Sequence, residues 1–226
     1  MLKTTIRRRA VATMKALRPA TASIGALALV QVGLAQLGLA PSGSALIASA
    51  QAQGSDAAFV QGLTTRLVAV VNGSGGNMEK KTAILPLLDQ DVDVDAIGRF
   101  CLGRFWRTAT PDQQQRYLKL FHQVLVNSIT GKLGEYKGVS IAVGQPNQQD
   151  GASYVPTVIT RPGQPTAAVQ WKISSASGSP KVVDIVAEGV SLSLTQRSDY
   201  ASYLAHNGNN IDALIAALTR QVSRSS

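Results

Sequence analysis

Cysteine occurs once in these 226 residues, as Cys101, histidine twice, as His122 and His206, and aromatic residues make up only 5% of the chain. A single cysteine excludes an internal disulfide. It leaves either a buried free thiol or a reactive one, and the setting "RFCLG" favours burial. Two histidines leave little for nucleophilic catalysis, which needs a nucleophile beside a base, and neither G-x-S-x-G nor a histidine close to Cys101 in sequence is present. His122 adjoins an apolar stripe, while His206 lies in "LAHNGNN", where a histidine commonly satisfies the carbonyls of a helix end. Beyond the first fifty residues no apolar run is long enough to cross a membrane. The expectation is a protein that is not an enzyme and carries no metal.

Those first fifty residues read as a processing segment. Lys3, Arg7, Arg8, Arg9, Lys15 and Arg18 make a basic start, and an almost uncharged run follows from "IGALALV" through "LGLA". It ends in "ALIASAQAQG", where Ala48-Ser49-Ala50 and Ala50-Gln51-Ala52 both fit the A-x-A rule of secretory signals. A cleaved signal peptide over 1–52 and a single domain over 53–226 are expected, with export by the general or the twin-arginine route. The alternative, an uncleaved anchor, is disfavoured by the Gly, Gln and Pro content of the run. Cleavage changes the electrostatics, because six of the 22 basic residues and none of the 13 acidic ones precede residue 53, leaving 16 against 13. Most of the apparent case for nucleic-acid binding goes with the leader, and what remains is a local basic patch suited at most to anionic lipid surfaces.

Hydrophobic periodicity orders the remainder as helices, then strands, then helices. Phe59, Val60, Leu63, Leu67, Val70 and Val71 predict a helix over 56–71, capped by Ser55 or Asp56. A second helix is expected over 78–89 with Ile84, Leu85 and Leu88 inward and Pro86 bending or shortening it. A third, short helix starts at one of the aspartates of "DVDVD" and ends near Gly103. "TPDQ" then gives Thr110 as N-cap, Pro111 at the first helical position and Gln113 three residues after the cap, a capping box that opens a long helix with Leu118, Phe121, Leu125, Ile129, Leu133 and Tyr136 on one face. After Gly138 the period becomes two, in "VSIAV", "ASYVPTVIT" and "AAVQWKI", with Pro156 pointing to an edge or a bulge. In "KVVDIVAEGVSLSL" the alternation slips at Glu188-Gly189, which a one-residue bulge in a long strand or a tight turn between two short ones would explain; the bulge is the first expectation. Closing helices are expected over 199–204 and 211–222. The layout is an α+β domain in which a helical layer packs on a curved antiparallel sheet.

Other motifs dissolve on inspection. "DQDVDVD" fails as a calcium loop in both registers, since the required glycine and glutamate positions hold Ala96 and Leu102, or Val94 and Phe100. "NGSGGN" lacks the spacing of a phosphate loop and follows a helix. Arg99, Arg104, Arg107 and Arg116 form a basic face or, as the interleaved "RFCLGRFW" suggests, surround rings in the core with their stems snorkelling outward. Composition does not decide whether the layers close tightly or hold an apolar cavity.

Two stretches, "DVDAIGRFCLGRFWRTATPDQQQRYLKLFHQVLV" and "VVDIVAEGVSLSLTQRSDYASYLAHNGNNIDALIAAL", resemble the MlaC or toluene-tolerance family. Arg104, Trp106, Thr110, Pro111 and Gln114 match its first pattern; Asp184, Glu188, Gly189, Val190 and Ser191 match its second. The sequence departs from the family at Asn209-Asn210, where glycine is expected, and at Asp199-Tyr200, where an acid and Phe are commoner. The resemblance implies a soluble periplasmic carrier whose acyl-chain pocket lies between helices and a highly curved sheet. It implies phospholipid as cargo in place of a cofactor, and as partners an outer-membrane lipoprotein-porin complex and the substrate-binding ring of an inner-membrane ABC transporter. A subgroup is associated with hopanoids, so a polycyclic lipid is an alternative cargo; a closed-core structural protein is the alternative class. Phe100, Phe105, Phe121, Leu125, Ile129, Val169, Trp171, Ile185 and Leu192 are the expected lipid-binding residues, each equally compatible with plain core. The matched polar residues are expected to be structural: helix start, strand bending and hydrogen-bonded corner.

Overall fold

A computed structural model describes residues 43–149 and 152–224, with the side chains of the first helix described from Gly54 onward. The basic start and apolar run of the expected leader lie outside the described residues. The first helix, α1 (Gly43–Asn72), continues upstream of Ser55 and Asp56, so neither residue caps it. It carries Val60 and Leu63 into the interior, almost fully buried. Pro86 does not end α2 (Asn77–Asp91). Ile84 and Leu88 are buried as expected. Asp93 caps α3 (Val94–Leu102) by accepting from the Ala96 N–H at 2.9 Å. The helix stops at Gly103, whose φ of 62° only glycine adopts easily. A 3-10 turn, Gly103–Arg107, leads into α4 (Pro111–Thr130).

The capping box at α4 forms as read. Thr110 Oγ1 accepts from Gln113 N at 3.2 Å, and Gln113 Oε1 accepts from Thr110 N at 3.0 Å. Gln113 also donates from Nε2 to Asp212 Oδ2, 2.8 Å away, tying the start of α4 to that of the last helix, α6 (Ile211–Ser223). With Arg116 adding an ion pair at 2.9 Å, the Asp212 carboxyl is held below the usual carboxylate range, chiefly by the Gln113 bond. The helix is shorter than its apolar stripe suggests. It ends at Gly131, and Leu133 and Tyr136 belong to a separate 3-10 turn, Leu133–Tyr136.

The sheet is antiparallel, in the order β1 (Ser140–Val143), β3 (Ala152–Thr160), β4 (Ala167–Ser174), β5 (Lys181–Ala187), β6 (Val190–Ser191), with β2 (Asn147–Gln149) pairing the far end of β3. Strands β1 and β2 therefore form one interrupted edge. Its break lies opposite Pro156, which has no N–H to offer that side, and the Pro156 carbonyl accepts from Gly144 N at 2.8 Å. The phase slip at Glu188-Gly189 is a turn and not a bulge. Ala187 pairs Val190 and Val186 pairs Ser191, with φ of 50° and 78° at the two loop residues, as a two-residue hairpin of the primed type demands. A register shift does occur in this strand pair, but earlier: Lys172 faces Asp184 while Ile173 faces Val182, leaving Val183 as the extra residue. Val182 is accordingly buried in place of Val183. After Ser191 the chain is helical, so α5 (Leu192–His206) begins seven residues before its expected start, and Leu192 and Leu194 lie on its first turn instead of in a strand.

Three apolar clusters fill the interior. One is wholly helical and joins α3, α4, α5 and α6 around Leu102, Phe105, Tyr117, Phe121, Leu204 and Leu214. A second lies between α1, α2 and the sheet, with Val60, Leu63, Leu87, Val155, Ile173 and Val182. The third gathers the ends of α1, α2 and α4 with β1, around Val71, Ile84, Leu88, Val126 and Val139. The architecture is α+β: among the described residues six α-helices pack with a six-stranded antiparallel sheet.

Candidate functional site

Among the described residues Val92, between α2 and α3, is the one side chain that packs against all three clusters, and it is only half-buried. Its backbone pairs with Val182 in a parallel bridge, and Asp93 N donates to Val182 O at 3.0 Å. The helical and sheet-bound parts of the interior thus share Val92, which its bridge to Val182 holds in place. Around this junction stand half-buried apolar side chains: Leu67 and Val70 from α1, Ile129 from α4, Trp171 and Ile185 from the sheet. Helix α4 itself packs mainly on α6, α3 and α2. These half-buried apolar side chains form a band, the seam, along the second and third clusters.

Polarity within the seam is neutralised locally. Trp171 Nε1–H donates to Thr157 Oγ1 at 3.0 Å, and that hydroxyl donates in turn to Val169 O at 3.0 Å. The indole therefore presents apolar surface with its donor already used.

The nine side chains expected to bind lipid separate among these clusters. Phe105 and Phe121 are buried in the helical cluster with Leu125 packed against it. Trp171 and Ile185 border the sheet-bound cluster, Ile129 the third, and Val169 is buried on the sheet. Phe100 and Leu192 are exposed, at 39% and 51%. Sequence reasoning missed Val92, Leu67 and Val70 as junction residues. For Val92, an apolar residue between two aspartates is the visible signal, which a capping run accounts for equally well.

Two solvent-open clefts accompany the seam. One of about 360 Å³ is polar and lies at the end of β3 and β4, bordered by Asp56, Gln148, Ser153, Lys172 and Ser174. The other, about 290 Å³, is lined by Arg99, Phe100, Gly103, Arg104, Trp106, Arg107 and Arg197. Of the nine expected residues only Phe100 borders either cleft.

The groups capable of chemistry are otherwise engaged. His122 Nε2 lies 3.0 Å from Asp89 Oδ1, and His206 Nδ1 2.7 Å from Ser202 O at the end of α5. The Cys101 thiol is 1% exposed, donates weakly to Ser193 O at 3.6 Å, and is pushed up to about 12 by burial and then by the nearby Asp184 charge. The aspartates of "DQDVDVD" diverge: Asp89 to His122, Asp91 to Arg66 at 2.9 Å, Asp93 to its helix N-terminus and Asp95 towards Arg99. Among the described residues no three His, Cys, Asp or Glu side chains converge as metal ligands.

The polar residues that match the two sequence patterns hold corners. Gln114 Nε2 donates to Trp106 O at 2.9 Å, fixing the 3-10 turn to α4. Asp184 Oδ1 accepts from Ile185 N and Ser193 N, and its Oδ2 from Ser191 Oγ at 2.6 Å. Ser191 in turn caps α5 through Leu194 N. Glu188 closes the hairpin against β4, its Oε1 accepting from Ala168 N at 2.7 Å and its N–H donating to Ala168 O. Asn209, where the family is expected to carry glycine, has a φ of 56°, a conformation that Asn tolerates better than most side chains.

The family model described as MlaC protein matches residues 61–220. The chain belongs to the MlaC family. It is similar to the toluene tolerance protein ttg2D of Pseudomonas putida, 26% identical over 172 residues that cover 73% of this chain and 80% of that protein. Its fold is that of a phospholipid-binding protein from Ralstonia solanacearum solved in complex with a phospholipid, with a TM-score of 0.65, 22% identity, and coverage of 75% of this chain and 98% of that one. This MlaC-family chain shares with that structure the α+β architecture described above.

Proposed function

We propose that this protein is a periplasmic lipid carrier, exported by a cleaved leader, which moves glycerophospholipid between an outer-membrane lipoprotein-porin complex and the substrate-binding ring of an inner-membrane ABC transporter, and so maintains outer-membrane lipid asymmetry. The observation that carries the reading is the half-buried hydrocarbon seam meeting at Val92, in a chain of the MlaC family. Acyl chains lying along the second and third clusters would exchange water for Leu67, Val70, Trp171 and Ile185, at about 0.8 kcal/mol for each CH₂ buried. The engaged histidines and the neutral Cys101 thiol support binding rather than catalysis.

Native mass spectrometry of the exported protein tests this reading. A bound mass identifies the cargo and separates a phospholipid from a polycyclic lipid. Val92→Trp, which fills the junction, is expected to reduce extraction of labelled phospholipid from vesicles by at least about tenfold, equivalent to about 1.4 kcal/mol of lost affinity. A lipid-free protein that also extracts nothing would overturn the carrier reading in favour of a closed core.

A further inference from the structure

Four arginines meet at one surface cleft that the carrier reading leaves unused. Arg99, Arg104, Arg107 and Arg197 surround Phe100 and Trp106 where α3, the following 3-10 turn and α5 come together. Three of the guanidiniums are held against rings: Arg99 lies 5.4 Å from the Trp106 centroid, Arg104 4.8 Å from Phe105 and Arg197 4.9 Å from Phe100. Gly103 completes the arrangement, since a Cβ there would sit 3.0 Å from Arg197 Nε. Among the described residues the one carboxylate within ion-pair reach of these four side chains is Asp95, at a loose 3.7 Å from Arg99. Four positive charges, three of them held against rings, therefore face solvent with little internal compensation.

The same face carries apolar groups in water. Phe100 is 39% exposed and Leu194 57% exposed. Leu194 precedes Arg197 by three residues on α5, which puts both on one side of the helix. Val190, in the strand leading into that helix, is also exposed, at 55%. A small free anion would use the arginines and ignore the leucine and phenylalanine. An anionic bilayer uses both, attracting guanidiniums to its phosphates while apolar and aromatic side chains settle at the boundary with the acyl chains.

We infer that this face, centred on Arg104, Arg107 and Arg197 with Phe100 and Leu194, docks the protein on anionic phospholipid bilayers. The inference goes beyond the carrier reading, because docking requires no cargo inside the seam.

Flotation of the exported protein with two vesicle preparations tests it: phosphatidylcholine alone, and phosphatidylcholine with one-third phosphatidylglycerol. Binding to the anionic vesicles is expected to exceed binding to the neutral ones by about tenfold or more at low salt and to decline as salt screens the attraction. Arg104→Glu with Arg107→Glu, at two exposed positions, is expected to abolish the preference in a variant that circular dichroism shows to be folded. Leu194→Ser, which leaves the charge intact, is expected to weaken binding to both preparations. Equal binding to the two vesicle types, or a preference that survives in the folded double variant, overturns the inference. Capture of a poly-glutamate peptide without vesicle binding also overturns it, assigning the face to an acidic protein. Vesicle binding without lipid extraction counts against the carrier reading and leaves docking standing.

Discussion

Single residues set how closely the helices approach. Gly98 lies where α3 crosses α4, and a Cβ on it would come within 2.9 Å of Leu118 Cδ2 and 3.1 Å of Phe121 Cδ1. The close approach lets the fully buried Tyr117 hydroxyl donate to Gly98 O at 2.8 Å. Tyr117→Phe removes this buried hydrogen bond, so a loss of about 0.5–1.5 kcal/mol is expected in urea denaturation. Cys101 gives this region a pH signature. Its thiol would ionise near 9.0 in the open chain but only near 12 when folded. Between those values the unfolded state releases a proton that the folded state keeps, so stability is complete below about pH 9 and falls as pH rises. Burial raises Tyr117 and Tyr200 as well, with the same sign and a later onset. The denaturation midpoint of Cys101→Ala is therefore expected to fall less steeply than that of the unaltered protein between about pH 9 and 10. Equal slopes would mean that Cys101 ionises as freely inside as outside.

At the scale of elements, legibility in the sequence depended on whether the controlling contacts were local. Thr110, Pro111 and Gln113 specify their helix start among themselves, and β3 was bounded correctly because turn residues flank its alternation. The Glu188-Gly189 hairpin was open to two readings, since the period-2 pattern slips identically at a turn and at a bulge. What decides it lies far away in sequence. Glu188 tolerates a positive φ while bound to Ala168, and Asp184 draws Ser191 and Ser193 into a helix start. Leu192 and Leu194 mimic a strand only while Asp184 is left out of account. Removing that carboxylate in Asp184→Ala is expected to cost about 2–3 kcal/mol, by leaving Ser193 N–H without its acceptor and the helix N-terminus without a nearby negative charge. Asp184→Asn keeps one acceptor and is expected to lose less. Comparing the denaturation midpoints of the two variants checks the order.

For the whole molecule, the α+β class and the run of helices, strands and helices follow from periodicity. The division of the interior does not. Phe121, Leu125 and Ile129 share one apolar stripe of α4, yet Phe121 and Leu125 serve the helical cluster while Ile129 serves the third. A stripe shows which side is buried but not which neighbour covers it. A cargo bound in the seam would stabilise the folded state by mass action, so stripping lipid with organic solvent and refolding is expected to lower Tm, with phospholipid restoring it.

Both margins of the sheet are broken. One side has β1 and β2 separated around Gly144 and Pro146, and the other ends in β6, two residues long. Exposed sheet margins are at risk of stacking onto those of another copy, and neither margin here offers a continuous row of backbone donors and acceptors to start such growth. Replacing Pro146 by valine would add a backbone donor to that margin without crowding Pro156. Light scattering at high protein concentration is expected to show the variant aggregating while the unaltered chain stays dispersed.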